Sequence, residues 1–289
     1  MPLEAWGFAI AAAALFGFAL NLAQIGLRHL PVALGSRVSI PTAATLFWLS
    51  SPWTADFSGW RNDAALLFAG IGLFYPAVVT ILTFEAARWL GPNITAALGN
   101  LAPVVAVVAG VVWLGETLGA RQIAGIAVLV AGITLLTTKR GAAGGPSWPA
   151  WAIVLPLTAS MLRGLAQPIL KIGFSWWPNP RVATLLCYAS SATVVVLVGL
   201  FRMRGTQAAF TKKGVAFFMV VGVANGIATW AGIEAVARGP VSLVAPVVAS
   251  YPIFTLAFGA VMLGNVKVSR AQAIGVTLAA AGVMVLVMG

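Results

Sequence analysis

The chain has 289 residues, of which 61% are hydrophobic and only 8% are charged, and its mean hydropathy is +0.99. A soluble domain carries about a quarter charged residues, so this composition excludes a water-exposed globular protein and indicates one that lies in lipid. The net charge of +11 arises from Lys and Arg residues placed singly or in pairs between apolar runs. Such residues are typical of juxtamembrane anchors, and we expect no nucleic-acid partner.

Ten apolar stretches are each long enough to cross a bilayer as a helix, and none shows the alternating pattern of a barrel strand. The sequence therefore predicts an all-α membrane protein with short connections. Gly91-Pro92-Asn93 and Arg238-Gly239-Pro240 are each expected to turn the chain and to begin the next helix with proline in its first turn. In chain order the predicted spans are 5–28, 33–51, 64–87, 92–114, 119–138, 150–174, 181–201, 213–236, 240–264 and 268–288.

The second half of the chain repeats the pattern of the first about 149 residues later. A Gly-rich stretch near the midpoint indicates the boundary: residues 1–138 form one repeat, 139–149 a linker and 150–289 the other repeat. Each half contains five spans, and because five is odd the second half must enter the membrane from the opposite side. The prediction is two inverted five-helix repeats around a central cavity, with a duplicated but inert bundle as the alternative. The matched pairs are Glu85 and Glu234, Gly91-Pro92 and Gly239-Pro240, Pro103 and Pro252, Arg121 and Arg270, Gly125 and Gly275, Gly132 and Gly282, and more loosely Gly17 and Gly164.

Polar side chains deep in the predicted spans are the candidate substrate ligands, because lipid makes them costly unless they have a function. Arg163 is the most informative, since it lies about thirteen residues into its span and no acidic residue nearby in the sequence neutralises it. We expect Arg163 to face a water-filled cavity and to bind a carboxylate or phosphate, with snorkelling or a backbone carbonyl partner as the alternative. The candidates are Tyr75, Asn100, Arg163, Gln167, Asn225, Trp230, Ser250 and Tyr251.

Charged and polar residues toward the ends of the spans form a second group. Glu234 and Arg238, like Glu85 and Arg88, are spaced to pair on one helical turn, and interfacial salt bridges are favoured over the binding of a coupling ion. The candidates for state switching or ion coupling are Gln24, Lys171, Glu85 and Glu234, and the expected helix kinks lie at Pro103 and Pro252.

The sequence lacks the residue patterns of an enzyme or a metal site. Its one histidine, His29, lies at the end of a span, so a buried nucleophile would have no histidine base. No cluster of His, Cys and carboxylates has the spacing of metal ligands, and the glycines of 141–145 lack the Lys-Ser/Thr of a phosphate-binding loop. We expect no catalytic residue, no metal and no cofactor. An intramembrane enzyme and a passive assembly protein are the remote alternatives.

The first half ends with a proline, an apolar run, Leu-Gly-Glu, an arginine and the stretch GIAVLVAGITLL. The second half ends with a similar pattern. The doubled pattern resembles the drug/metabolite transporter superfamily in its ten-helix EamA branch. The resemblance extends over essentially the whole chain and implies a multi-pass carrier whose relatives include amino acid exporters. It also implies a lysine late in the first span of each half. That lysine is present as Lys171 but replaced by Gln24, and Glu116 of the first copy is matched by Asn265.

A small amphipathic metabolite suits the polar residues of the predicted spans. Spans 5–28 and 150–174 contain no acidic residue, which disfavours a proton-coupled cation pump, and one secure cation is too few for a phosphate-bearing substrate. One cation, several amide and hydroxyl groups and nearby aromatic rings favour an amino acid, aromatic or large and apolar. We therefore expect a monomer, surrounded by membrane lipid, that exports such a small-molecule substrate across the cytoplasmic (inner) membrane. Drugs and nucleotide sugars are the alternative substrates.

The positive charges of the loops divide unequally between the two faces. Five Lys or Arg residues fall on the face that carries the termini and eleven on the other. The positive-inside rule places the second face in the cytoplasm and both termini outside. The resemblance implies the opposite orientation, so the sequence leaves the orientation open.

Overall fold

The computed structural model describes residues 1–99, 101–137, 149–202, 210–262 and 270–288. All regular structure in these ranges is helical, because an isolated segment in lipid satisfies its own backbone hydrogen bonds only as a helix. The helices are α1 (Leu3–Gly26), α2 (Val32–Thr54), α3 (Asn62–Phe74), α4 (Ala77–Gly99), α5 (Ala102–Leu114), α6 (Ala120–Thr137), α7 (Val154–Trp176, preceded by a 3-10 turn at Ala150–Ile153), α8 (Pro180–Arg202), α9 (Lys212–Arg238), α10 (Val241–Val248), α11 (Tyr251–Met262) and α12 (Arg270–Met288).

Six helical stretches of the described chain are long and apolar enough to cross a membrane, among them α1, α8 and α9. Two of the six consist of two helices each: Asn62–Thr83 joins α3 to the start of α4, and Val241–Met262 joins α10 to α11. Three shorter apolar stretches lie in α5, α6 and α12. Together with α2 they make ten, the number of helices predicted from the sequence.

The third span is interrupted at a place that the sequence analysis did not predict. α3 ends at Phe74, and Tyr75 is extended (φ −126°, ψ 122°) before Pro76. A residue that precedes proline avoids the helical region, and Pro76 has no N–H with which to continue the helix.

The expected turn at 91–93 is wrong, because α4 continues through these residues to Gly99. A proline inside a membrane helix is tolerated where neighbouring groups satisfy the carbonyl that it frees.

The expected turn at Gly239-Pro240 is present in the second half. α9 ends at Arg238, Gly239 is extended, and α10 begins directly after Pro240. The fixed φ angle of proline favours the beginning of a helix, so this pair ends one helix and starts the next. The α9–α10 turn, residues 239–240, lies at the same end of the bundle as the beginning of α1, since Arg238 contacts Glu4.

Pro103 and Pro252 lie at the beginning of helices rather than at the bend of continuous ones. α5 begins at Ala102, so Pro103 is in its first turn, and α11 begins at Tyr251 with Pro252 next. In the first turn the missing N–H of proline removes no helical hydrogen bond. The expected kinks are therefore interruptions, and each leaves two helix ends with free backbone groups within its span.

The last helices of the two halves, α6 and α12, pack along glycines with their backbones close together. A Cβ atom on Gly282 would lie 2.5 Å from the backbone nitrogen of Leu129, and one on Gly132 would collide with the backbone of Ala279. Toward the start of α6, Gly125 contacts the end of α12. Residue numbers thus rise along α6 as they fall along α12, so the two helices run antiparallel. Small residues permit such close approach, which stabilises helix pairs in lipid.

Glycines at equivalent positions of the two halves make equivalent contacts, and each contact joins one half to the other. α1 accordingly packs on α9 and α11, while α7 packs on α3, α4 and α5. If every residue is replaced by its equivalent in the other half, each of these glycine contacts becomes the matched contact of the other half. The matched contacts are Gly17 on Phe254 with Gly164 on Val105, Gly26 on Phe218 with Gly173 on Phe68, and Gly72 on Cys187 with Gly222 on Ser39.

Candidate substrate site

A cleft of about 20 Å³, room for about one water molecule, lies between the two halves. Tyr75, the extended residue between α3 and α4, is part of its wall, opposite residues of α7 and α9. Polar groups enter the lining from Tyr75, Gln167 and Thr229, and the rest of the wall is apolar. The lining residues are Phe16, Tyr75, Gln167, Leu170, Thr229, Gly232, Ile233, Val236 and Val248.

The carboxamide of Gln167 has no hydrogen-bond partner within the described part of the chain, and its Oε1 atom is buried. Other deep polar side chains are used between helices. Nδ2 of Asn21 donates to the carbonyl oxygen of Thr255 at 2.9 Å, and Oγ of Ser160 donates to that of Leu98 at 2.7 Å. A buried polar atom without a partner costs about 1–3 kcal/mol. The unpartnered carboxamide of Gln167 therefore lowers the stability of the folded protein and remains able to form hydrogen bonds.

Arg163 lies one turn before Gln167 on α7, and its guanidinium makes no ion pair or hydrogen bond with the described residues. It is partly buried and lies within electrostatic range of Tyr75. Residues four apart on a helix share one face and are separated by about 6 Å along the axis. Arg163 and Gln167 thus place a cation and a neutral amide on the same face of α7, beside the cleft.

Thr229 connects the cleft to a buried tyrosine on α8. The hydroxyl of Tyr188 donates to Oγ1 of Thr229 at 3.0 Å and to the backbone oxygen of Asn225 at 3.3 Å. Both Tyr188 and Thr229 are buried. The hydrogen bond fixes the hydroxyl of Thr229 in a wall that is otherwise mostly apolar, while Asn225 takes part through its backbone.

The two halves contribute opposite chemistry to the cleft. With the offset that relates the matched glycines of α1 and α7, Arg163 corresponds to Phe16 and Gln167 corresponds to Leu20. Phe16 lines the cleft, whereas Leu20 is exposed on the outside of the bundle. One wall is therefore cationic and polar and the equivalent wall is apolar, an arrangement that matches a ligand with one polar and one apolar end.

Several predicted ligands lie outside the lining of this cleft. Trp230 packs edge-on against Phe8, with the ring centroids 5.7 Å apart. The hydroxyl of Ser250 donates to the carbonyl oxygen of Val247 at 2.6 Å, within its own turn. Asn100 falls outside the described residues. The structure thus brings Tyr75, Arg163 and Gln167 together and leaves Asn225, Trp230, Ser250 and Tyr251 away from them.

Lys171 closes the C-terminal end of α9. Its ammonium nitrogen donates hydrogen bonds to the carbonyl oxygens of Val236, Ala237 and Gly239 at 2.9, 3.2 and 3.0 Å. The last carbonyls of a helix have no partner within the helix, and the dipole makes this end favourable for a cation. The counterpart of Lys171 in the first half, Gln24, is exposed and makes no hydrogen bond with the described residues.

Glu116 closes the N-terminal end of α10, on the other side of the same turn. Its Oε1 accepts the N–H of Val241 at 2.7 Å, and its Oε2 accepts that of Ser242 at 2.8 Å. Gly115, in a left-handed conformation (φ 65°), ends α5 and turns the chain toward α10. A Cβ atom on Gly110 would lie 2.9 Å from Oε2 of Glu116, so glycine leaves room for the carboxylate. The α9–α10 turn is thus held on one side by Lys171 of α7 and on the other by Glu116 of the α5–α6 connection.

Glu234 and Arg238 form the ion pair that their spacing predicts. The guanidinium of Arg238 donates to the carboxylate of Glu234, and its Nε lies 3.3 Å from Oε2 of Glu4. The side chain of Glu234 is only 3% exposed, so the paired cation compensates for its burial. Glu85 is partly buried on α4, and the side chain of Arg88 lies outside the described part of the structure.

Metal ligands are absent from the part of the chain that the structure describes: no group of three or more His, Cys, Asp or Glu side chains is placed to hold an ion. The polar groups in or beside the cleft are an amide, hydroxyls and one guanidinium, and of these the amide and the guanidinium have no partner among the described residues. These groups bind and orient a solute by hydrogen bonds and charge.

The residues of the site that the sequence did not predict include Phe16, Thr229 and, in its capping role, Glu116. Phe16 and Thr229 lie among other apolar or helix-compatible residues, and no local pattern marks which face of a helix points inward. Glu116 belongs to the Leu-Gly-Glu motif, but the amides that it caps lie more than a hundred residues away in the chain. Only the packing of the two halves brings these groups together.

Six apolar helical stretches of spanning length among the described residues define a multi-pass helical membrane protein. Residues 5–138 match the family model described as "EamA-like transporter family". The matched part is just under half of the chain and agrees with the resemblance seen in the sequence, and this family suggests a membrane transporter of small metabolites.

Among the solved structures that match, one titled "Crystal structure of protein" is similar over 100% of this chain and 98% of its own chain, with a TM-score of 0.81 and 17% sequence identity. At that identity the likeness shows the fold alone. No curated protein matches the chain.

Proposed function

We propose that the protein is a secondary transporter that moves a small amphipathic metabolite, an amino acid in the first instance, across the cytoplasmic membrane. The observation that carries this proposal is the pair of unpartnered polar side chains, Arg163 and Gln167, on one face of α7 beside a largely apolar cleft. A guanidinium binds a carboxylate through two parallel hydrogen bonds, and a carboxamide both donates and accepts. The main-chain groups of an amino acid offer partners to both.

Two inverted repeats and alternating access form part of the proposal. The antiparallel packing of α6 on α12 and the matched glycine contacts between the halves support the inversion. In carriers built from inverted repeats, one repeat moves against the other around a site at their interface, which opens the site to each side in turn. The cleft of this protein lies at that interface.

The small cleft supports a closed conformation around the site. Its volume of about 20 Å³ is far below the roughly 300 Å³ of a small-molecule pocket, so a substrate enters only when the walls separate. Glu116 joins the first half to the start of α10 in the second half, and Lys171 joins α7 to the end of α9, two helices that both line the cleft. Movement of these elements apart would break the hydrogen bonds. We assign to Lys171 and Glu116 the role of stabilising the closed conformation.

Other substrate classes match the cleft less well. A nucleotide sugar would require several convergent cations for its phosphates, whereas Lys171 is already bonded to the end of α9 and Arg163 is left as the unpaired cation beside the described cleft residues. A cationic drug would require a free carboxylate, but the buried carboxylate of Glu234 is paired with Arg238. Export as the direction of transport is supported by the family resemblance alone.

Uptake of radiolabelled amino acids by liposomes that contain the purified protein, without ATP, tests the proposal. Arg163→Met should remove saturable flux and leave folding intact, because the guanidinium has no partner to lose. Arg163→Lys should retain part of the flux, since the charge remains but the bidentate geometry does not. Arg270→Met, which removes an exposed cation from the beginning of α12, is the matched control. Undiminished flux in Arg163→Met would contradict the assignment.

A further inference from the structure

Buried polar side chains in the described helices generally have a hydrogen-bond partner, either in their own turn or in a neighbouring helix. The hydroxyl of Ser191 donates to the carbonyl oxygen of Gly72 at 2.6 Å, and the thiol of Cys187 donates to that of Phe68 at 3.1 Å. In the described residues only Oε1 of Gln167 and Oγ of Ser242 are buried without any partner. Ser242 lies at the start of α10 and does not line the cleft, whereas Gln167 does.

We propose that Gln167 determines specificity by accepting a hydrogen bond from a donor group on the carbon next to the carboxylate of the substrate. This inference rests on the proposed function and adds to it the group that is recognised and the residue that recognises it. No described side chain or backbone group donates to the acceptor oxygen of Gln167, so a ligand that brings an N–H or O–H group into the cleft would satisfy it. The preferred ligand is therefore one with a protonated amine beside its carboxylate.

The positions of the two polar residues on α7 fit this recognition. Arg163 and Gln167 are one helical turn apart, about 6 Å along the axis, so their functional groups reach two neighbouring atoms of one small ligand. The guanidinium binds the carboxylate, and Oε1 of Gln167 accepts from the amine. The remainder of the ligand then points toward Phe16 and Ile233, which are apolar parts of the cleft lining.

Three probes of nearly equal shape isolate the recognised group: L-phenylalanine, L-3-phenyllactate and 3-phenylpropionate. They carry an ammonium group, a hydroxyl group and a hydrogen, respectively, on the carbon next to the carboxylate. The carboxylate and the ring are the same in all three probes, so their interactions with Arg163 and with the apolar wall should be the same. Wild-type protein should bind phenylalanine most tightly and phenylpropionate at least about tenfold more weakly, because the latter leaves a buried acceptor without a donor.

Gln167→Leu is the variant that tests the role of the carboxamide. It should bind the three probes with nearly equal affinity, and its melting temperature should equal or exceed that of the wild type, because it removes an unsatisfied buried atom. Gln167→Glu should increase the preference for phenylalanine over phenylpropionate, because a carboxylate accepts only. Ser160→Ala is the matched control: it removes a fully bonded polar group from the same helix and should keep the wild-type ratio.

The measurement is binding of each probe by thermal shift and by competition with radiolabelled phenylalanine uptake in liposomes. If wild-type protein binds none of the three, nor the corresponding leucine series, the proposed function is overturned and this inference with it. If wild-type protein discriminates and Gln167→Leu keeps the same ratio, the transporter assignment stands and the specificity role of Gln167 is overturned alone.

Discussion

The ammonium nitrogen of Lys171 lies 2.9 Å from the carbonyl oxygen of Val236, and this hydrogen bond fastens α7 to the last turn of α9. Two further carbonyls of the same helix end accept from the same ammonium group. The equivalent position of the first half holds a neutral glutamine, Gln24, that makes no such contact with the described residues. The hydrogen bonds that Lys171 makes in the second half therefore have no equivalent at Gln24 in the first half.

Replacing Lys171 by methionine should destabilise the closed conformation. The variant loses charged hydrogen bonds, each worth about 1.5–3 kcal/mol, and leaves the end of α9 without its cation. We expect a lower melting temperature and a faster exchange of labelled substrate across liposomes. Lys212→Met, at the exposed beginning of α9, is the control and should behave as the wild type does. An unchanged melting temperature in Lys171→Met would show that the three hydrogen bonds contribute nothing.

Replacing Glu116 by alanine should free the beginning of α10. The amides of Val241 and Ser242 then lose their acceptor, and loss of such a cap costs about 0.5–2 kcal/mol. Hydrogen exchange followed by mass spectrometry should show faster exchange at the start of α10, with α8 unchanged. Glu116→Gln retains one acceptor oxygen and should give an intermediate result. Equal protection in wild type and Glu116→Ala would contradict the capping role.

Adding a methyl group to the α6–α12 contact should force the two helices apart. Gly282→Ala places a Cβ atom 2.5 Å from the backbone nitrogen of Leu129, where no flexible side chain can move away. Such overpacking costs about 1–3 kcal/mol. Gly70→Ala, where nothing lies within 4 Å of the added atom, is the matched control and should be neutral or slightly stabilising. The comparison is made by thermal unfolding in detergent, and equal melting of the two variants would contradict the contact.

Cysteines at opposite ends of the bundle should differ in their accessibility from the cytoplasm. Ser58→Cys lies in the α2–α3 connection, and Lys212→Cys lies on the face that carries the larger number of basic residues. The positive-inside rule predicts that an impermeant maleimide labels Ser58→Cys in whole cells and Lys212→Cys only after lysis. The native thiol of Cys187 is buried, so it gives little background. The reverse pattern would place both termini inside.

The number of helices could be predicted because the length of an apolar run is a local property of the sequence. The position of the break in the third span could not, because Pro76 and Pro92 are both able to interrupt a helix and the packing of the bundle selects Pro76. The depth of Arg163 and Gln167 in the membrane was also visible in the sequence. Gln167 lines the cleft, and Arg163 lies within electrostatic range of Tyr75, because of how α7 packs against the other half. The place of Phe16 in the lining depends on the same packing.

The glycines that join the two halves are alike in both copies, whereas the residues that face the cleft differ between them, with Phe16 in one copy where Arg163 stands in the other. If the cleft is the substrate site, assembly and selectivity reside in separate sets of positions. A substitution in the cleft then changes what is recognised without touching the backbone contacts between the halves. A chain of this design can acquire specificity for new substrates through single substitutions, each of which leaves a protein that still inserts into the membrane and folds.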